Sequence, residues 1–384
     1  MGTRPGNRVA AVSLRVLHVV ASDQRRGAEM FAADLVRALG ERGVSQRMAV
    51  LRNGSAATTY EAPIADLRAL RPAPIAHVDP SACARLARTV RDGRPHLVQV
   101  HGGEALKYAT CAMFRDRTPI VYRRIGGAPA WMSRWAQRRI YSALMRRPVR
   151  IVTVAERIRE ETIALFGVSP ARVVTIPNGV DAARMRPTRT RSSTRRELDL
   201  PESAPVLLSL ASLTWEKDPL AHVAVAARVI DEVPGAMHVI AGDGSMRADL
   251  EREIRRRGIS DRVRVLGVRS EVADLMHASD VLLFASRPDG MEGMPAVAIE
   301  AGMSSLPVAG YDVAGISEVV ENEATGYLVP WDDVDGLAGR VSRLLRDDRL
   351  RISMGEAACR RCAPFDVQAV AGRYVDVYEE ALGR

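Results

Sequence analysis

The chain has 384 residues, too many for one ordinary hydrophobic core and suited to two domains of average size. Its 47% apolar content excludes a disordered chain, and with 4% aromatics the cores must be built from Ala, Val, Leu and Ile. The net charge of +9 is unevenly spread: residues 1–187 carry 31 basic and 14 acidic side chains, whereas the remainder is net −8. Such a split gives the first half a positive field that suits phosphates or an anionic membrane surface, or is a solvated Arg-rich face. The basic residues are scattered and lack interleaved aromatics, which argues against nucleic acid. Nearly every cation is Arg, with Lys only at 107 and 217, so each lysine carries more information than any one arginine.

In chain order, residues 1–13 read as a short flexible tail. The apolar run Leu14–Val20 contains Arg15 and is too short for a signal sequence; a helical pattern follows Gly27, from Ala28 to Arg42. Further strand-like runs are Arg47–Leu51, Ile75–Val78, Leu97–His101, Ile120–Tyr122, Ile151–Val154 and Val173–Ile176, most of them followed by a stretch of 3.6-residue period. The basic amphipathic stretch 131–147, with two Trp and five Arg, reads as a helix covering the sheet; peripheral contact with an anionic membrane is its second reading. Between Asp181 and Ser203 the pattern lapses into Arg, Thr, Ser and Pro, which marks a linker at 184–203, centred on Arg184–Ser193. A second series then runs through Val206–Leu210, Met237–Ala241, Val263–Leu266, Val281–Ala285, Pro307–Ala309 and Tyr327–Val329, and a helix closes the chain over Asp366–Leu382.

Short apolar strands alternating with helices predict an α/β protein of two doubly wound parallel-sheet domains, residues 14–183 and 204–365. The final segment, 366–384, is expected to cross back to the first domain. Ligands of such sheets bind outside the carboxyl ends of the strands, here facing the gap between domains. No stretch approaches about 18 uninterrupted apolar residues, so no membrane span is expected. Cys359 and Cys362 have CxxC spacing without a second pair, and with Cys83 and Cys111 they are read as reduced thiols of a cytoplasmic protein.

Chemistry concentrates between Ser286 and Glu300. A strand ends at Ala285, a Gly-rich polar loop follows, and a helix opens near Pro295, where free N–H groups can meet phosphate or sugar oxygens. Glu292 precedes that helix and Glu300 lies about one and a half turns into it. Either carboxylate can accept two O–H bonds from a diol; equally, Glu292 can be a first-turn acid complementing the helix dipole, and Glu300 a surface residue. Asp333-Val-Asp335 has the spacing of a metal-binding pair but opens a helical stretch, and the capping reading is preferred.

Glu292-Gly-Met-Pro-Ala-Val-Ala-Ile-Glu300 resembles the Glu-x7-Glu signature of retaining family-4 glycosyltransferases, enzymes of the two-domain GT-B fold with Rossmann-like halves. Five other segments stand in that family's order. Arg26-Gly27-Ala28-Glu29 is similar to the turn after its first strand, and Ile176–Asp181 to the segment ahead of its linker. Ala211–Lys217 is similar to its Gly-Arg-Leu-x-x-x-Lys element and Gly242-Asp-Gly244 to its Gly-x-Gly turn. The run through Gly315, Glu318, Gly326 and Pro330 continues the match. The resemblance implies sugar transfer from a nucleotide-diphosphate sugar to a glycan, lipid-linked or small-molecule acceptor held by the first domain, with retention and with no metal or other cofactor.

By the same resemblance, Glu300 would bind the donor ribose, Glu292 the transferred sugar, and Lys217 the diphosphate. Gly27, Asn178, Ser212, Gly242, Gly244, Gly293 and Met294 would complete the donor site. The chain departs from the family at Ser212, where an Arg is usual, at Arg26, and at Ile125 in the Arg123-Arg124-Ile125 sequence, where many relatives have a His. His101, at the end of its own strand, is the substitute candidate, although a lone strand-end His is more often structural. The competing readings are a non-catalytic sugar-nucleotide-binding protein and a sugar-nucleotide epimerase. A dinucleotide oxidoreductase is disfavoured by the lack of Gly-x-Gly-x-x-Gly after the first strand.

Overall fold

The computed structural model describes residues 14–23, 27–52, 62–70, 78–128, 132, 135–290 and 292–383. The tail 1–13, Arg26, Trp131 and most of the run at 75–78 lie outside them. The chain forms two compact units. One takes the described residues up to Arg124, Leu144–Val152 and the chain from Ala371; the other takes Ile125–Ala143 and Thr153–Val370.

Two parallel sheets carry the fold. The first has seven strands: β1 (Arg15–Ser22), β2 (Ser45–Arg52), β3 (Ile64–Asp66), β4 (Leu97–His101), β5 (Ile120–Arg124), β6 (Arg150–Thr153) and β7 (Val173–Thr175), in the order β3-β2-β1-β4-β5-β6-β7. The second has β8 (Val206–Leu210), β9 (Met237–Ala241), β10 (Val263–Val265), β11 (Val281–Phe284), β12 (Val308–Tyr311) and β13 (Gly326–Val329), in the order β10-β9-β8-β11-β12-β13. In both, the order reverses beside the first strand of the series, the doubly wound pattern that the alternation of strands and helices predicts. Strands β4 and β9 are buried at every position, which is why they read as mainly apolar runs, broken only by Gln99, His101 and His238. β3 gives no such signal, because it has three residues and Ile64 is 53% exposed.

Arginine does more inside this protein than its composition suggests. Arg123, fully buried at the end of β5, places its guanidinium 3.9 Å from the centre of the Phe31 ring, and Phe31 in turn packs on Tyr374 of the helix Val367–Ala381. Arg195, 1% exposed, donates to the carbonyls of Ala278, Glu202 and Ala204 and to Asp280 at 3.1 Å. It belongs to the helix Arg191–Glu197, capped by Thr190, so part of the stretch whose composition reads as a linker is a short pinned helix. The basic stretch after Trp131 departs from its sheet-covering reading. The helix Trp135–Leu144 buries Tyr141, while Trp135 and Ile140 stand 72% and 59% exposed. Amphipathic periodicity measures the contrast between faces, and does not say that the apolar face is covered.

No helix among the described residues is long and apolar enough to cross a membrane. Asp333 caps the helix Val334–Arg346 by accepting from the Gly336 amide at 2.9 Å, as the capping reading has it.

Candidate functional site

The segments singled out in the second half of the sequence come directly after the carboxyl ends of β8, β9 and β11. A groove of about 640 Å³ lined by Pro205, Met237 and Arg262 lies at the amino ends of β8–β10, away from these segments, and is not part of the site.

After β8 the chain passes Ser212 and makes a one-turn 3-10 helix, Trp215–Lys217. Asp218 then takes a left-handed conformation, φ +45°, and its carboxylate accepts from the Ala221 amide to start the helix Pro219–Glu232. A non-glycine residue held at positive φ needs support from its surroundings. Arg287 supplies some: its amide donates to the Glu216 carbonyl at 2.9 Å and its side chain reaches Asp218 at 3.3 Å. The guanidinium also lies 4.6 Å and 5.3 Å from the Trp215 and Trp331 ring centres.

The loops after β8 and β11 are thus tied together, and they bring Lys217 to Glu292. The Lys217 Nζ donates to Glu292 Oε1, and the Ser286 hydroxyl donates to the same oxygen at 2.9 Å. Both ionised side chains are mostly buried, with 28% of Lys217 and 12% of Glu292 exposed, so water screens the pair less than it would on the surface. Ser286 itself is buried. It is a partner that the spacing of the two glutamates does not announce; its place, one residue past the β11 run, was the available signal.

Glycines set the close approaches. The Gly293 backbone lies against the Ile125 carbonyl and the Val154 side chain, where an added Cβ would overlap the carbonyl oxygen. Gly242, at φ +150°, is placed against the Ala211 carbonyl in the same way, and its amide donates to Gly267 at 2.8 Å. Gly244 follows with Leu213 beside it. The Asn178 amide nitrogen Nδ2 donates to the Met294 carbonyl at 2.7 Å, and so clamps the residue before Pro295. The helix Ala296–Met303 begins there with no side-chain cap, and its Ala298 amide turns back to the Pro295 carbonyl at 3.1 Å. Glu300, within this helix, meets Arg184 at 3.4 Å. Glu318 accepts from the Glu156 amide at 2.7 Å, and burial raises its pKa.

Of the residues expected at the site, Asn178, Lys217, Gly242, Gly244, Glu292, Gly293, Met294 and Glu300 lie in the second unit with these contacts, and Ser212 is exposed there. Gly27 and His101 lie in the first unit. Gly27 opens the helix Gly27–Glu41 with nothing within 4 Å of where a Cβ would stand. His101 ends β4 and is 4% exposed; its Nε2 lies 3.1 Å from Nδ1 of the fully buried His18, so one imidazole donates to the other. Burial lowers both pKa values, that of His18 to about 4.

Two doubly wound parallel sheets with Gly-rich loops at the carboxyl ends of their strands define a protein of the GT-B class. The family model Glycosyltransferase Family 4 matches residues 25–184 and Glycosyl transferases group 1 matches residues 190–361, and the chain belongs to this family of glycosyltransferases. Among curated relatives, the D-inositol 3-phosphate glycosyltransferase of Kineococcus radiotolerans is 32% identical over 61% of this chain and 57% of its own length. The alpha-D-kanosaminyltransferase of Streptomyces kanamyceticus is 26% identical over 75% of this chain and 71% of its own. The match therefore spans little more than half of the first relative. Among solved structures, Anabaena HepE in complex with UDP and glucose superposes with a TM-score of 0.82 at 19% identity, covering 96% of this chain and all of that one. WaaG, a glycosyltransferase involved in lipopolysaccharide biosynthesis, gives 0.77 at 15% identity, covering 94% and 99%.

Proposed function

We propose that the chain is a retaining glycosyltransferase that moves a sugar from a nucleotide-diphosphate donor to a glycan, lipid-linked or small-molecule acceptor. The observation that carries this reading is the convergence of Lys217, Glu292 and Ser286 beside the uncapped start of the helix Ala296–Met303. A lysine and helix amides are the groups that stabilise a leaving diphosphate, while a carboxylate held by a serine suits the hydroxyls of the transferred sugar. Glu300 takes the donor ribose, and Gly242 and Gly244 let the chain pass close to the base. Lys217 stands in the proposal where another enzyme would use a metal ion, and acceptor recognition falls to the first unit. The bound UDP and glucose of HepE are in keeping with a sugar nucleotide as donor.

The test is a thermal-shift screen of UDP-, GDP- and ADP-sugars, followed by donor hydrolysis without acceptor. One donor class should raise the melting temperature, and Lys217→Ala should abolish the rise. No shift with any sugar nucleotide would sink the proposal. Ser212 supports a second reading, a non-catalytic sugar-nucleotide-binding protein. It is exposed, and its Oγ lies 3.4 Å from Thr214 Oγ1, so this position brings no charge to a diphosphate. Binding without turnover, whatever the acceptor, would favour that reading.

A cytoplasmic site with peripheral membrane contact is part of the proposal. Free thiols at Cys83, Cys111, Cys359 and Cys362 suit a reducing compartment. Exposed Trp135 and Ile140, with Arg138 and Arg139 on the same helix, suit an anionic surface. Co-sedimentation with phosphatidylglycerol vesicles, reduced by Trp135→Ser, measures it.

A further inference from the structure

Three loops at the carboxyl ends of the second sheet meet on one guanidinium. Arg287 follows β11, Trp215 and Asp218 follow β8, and Trp331 follows β13. The mostly buried Arg287 side chain bonds the Asp218 and Asp289 carboxylates, each at 3.3 Å. The Trp215 and Trp331 rings, 4.6 Å and 5.3 Å away, back it from the β8 and β13 sides. The backbone makes a second tie. The Arg287 amide donates to the Glu216 carbonyl at 2.9 Å, and its carbonyl accepts from the Gly290 amide at 3.1 Å. A Cβ on Gly290 would stand 2.9 Å from the Glu216 carbonyl oxygen and 3.1 Å from Glu216 Cβ. The loop after β11 therefore packs directly on the turn that carries Lys217.

Both partner loops hold a strained residue where they meet Arg287. Asp218 has φ +45°, and Asp332, next to Trp331, has φ +70°. Neither is glycine, and such conformations persist only where the surroundings over-determine them, often at ligand sites. The two Asp218 oxygens divide the task. Oδ1 accepts from the Ala221 amide to start the helix Pro219–Glu232, and Oδ2 takes Arg287. A lysine could not replace this arginine, because one ammonium cannot bond two carboxylates and also lie flat against indole.

We propose that Arg287 is a positioning residue for Lys217: it clamps the strained turn Trp215–Asp218 and so aims the Lys217 ammonium at the donor's diphosphate. Two consecutive residues then set the two members of the ion pair. Ser286 holds the Glu292 carboxylate, and Arg287 holds the turn from which the lysine stem leaves. Arg287 acts through Lys217 and does not itself bind the donor. This rests on the reading of Lys217 as the diphosphate-binding cation.

Two measurements test the clamp. Calorimetry gives the Kd of UDP, GDP or ADP, whichever binds, with circular dichroism to show that each variant folds. Arg287→Ala should weaken that nucleotide about 10-fold, and Arg287→Lys, which keeps the charge without the planar fork, should recover only a minor part of the loss. A parental Kd in either variant overturns the positioning role. Adding Arg287→Ala to Lys217→Ala should cost nothing further; full additivity would make Arg287 a direct ligand of the diphosphate and overturn it too. If Lys217→Ala leaves the Kd unchanged, the reading of Lys217 fails, and the positioning role fails with it. The second measurement does not depend on Lys217. Glycine takes a left-handed backbone without strain, so the fall in urea midpoint caused by Arg287→Ala should be at least halved in the Asp218→Gly background. An equal fall in both backgrounds overturns the clamp on that turn.

Discussion

The Lys217 ammonium and the Glu292 carboxylate, 75 residues apart in sequence, form an ion pair on an oxygen that also accepts from Ser286. Each is a charge withdrawn from most of its water, so each depends on the other. Removing one leaves its partner desolvated and free to turn away.

Glu292→Ala and Lys217→Ala are expected to lower donor turnover by about two orders of magnitude or more, the scale seen when one preorganised charge or donor is removed. Ser286→Ala deletes a hydrogen bond to a charged group, worth about 1.5–3 kcal/mol, and should lower turnover roughly 10-fold with the fold intact. Steady-state rates of donor consumption, beside circular dichroism, measure all three. Parental turnover in Ser286→Ala would show that the hydroxyl is incidental.

Gly293→Ala places a methyl on the Ile125 carbonyl oxygen, and Gly242→Ala places one on the Ala211 carbonyl at a backbone angle that L-residues rarely adopt. The obstacles are backbone atoms and cannot swing aside. Each variant should lose about 3 kcal/mol of stability or shift its loop enough to lose nucleotide binding. Denaturant midpoints and calorimetry distinguish the two outcomes. Gly339→Ala, in the helix Val334–Arg346 with open space around it, is the control and should change neither.

Breaking the buried pair of Arg195 and Asp280 tests the packing between the helix Arg191–Glu197 and the second sheet. Arg195→Leu leaves the carbonyls of Ala278, Glu202 and Ala204 without their donor while Asp280 keeps Arg191 at 2.7 Å and the Val206 amide at 2.8 Å, and about 3 kcal/mol of destabilisation is expected. Urea unfolding measures it; a loss below about 1 kcal/mol would mean that water replaces the guanidinium.

Stability should fall in mild acid. His18, His222 and His238 have folded pKa values of about 4, 4 and 3, against 6.5 for an unperturbed imidazole. Between those values the unfolded chain binds more protons than the folded one. The unfolding free energy therefore rises with pH across the window, and is lost as pH drops from 6.5 towards 4. At about 1.4 kcal/mol per pKa unit, the loss is on the order of several kcal/mol. Urea midpoints across that range give the slope, and a midpoint independent of pH would contradict the buried, neutral assignment.

The parallel-sheet architecture was legible because strands buried on both faces leave mainly apolar runs without alternation, as in Leu97–His101 and Met237–Ala241, whose limits match the structure. β3 was not, since three partly exposed residues leave no pattern. The Glu292–Glu300 segment was legible for a similar reason: its spacing is a local property of one loop and one helix. The rarity of lysine pointed to Lys217. Arg123 and Arg195 were invisible among 55 basic residues, because nothing local separates a buried guanidinium from a solvated one.

By itself, then, the sequence determined the alternation of strands and helices, the segments at the strand ends and the family they belong to. All of these are written in spacings of a few residues. Only the tertiary structure decided that Ser286 and Lys217 meet on one Glu292 oxygen, that His101 is bonded to His18, and that Ser209 joins the buried His222 and His238. Those relationships join different strands. A hydrogen bond between strands depends on register and side-chain direction, which the fold sets and no local spacing records.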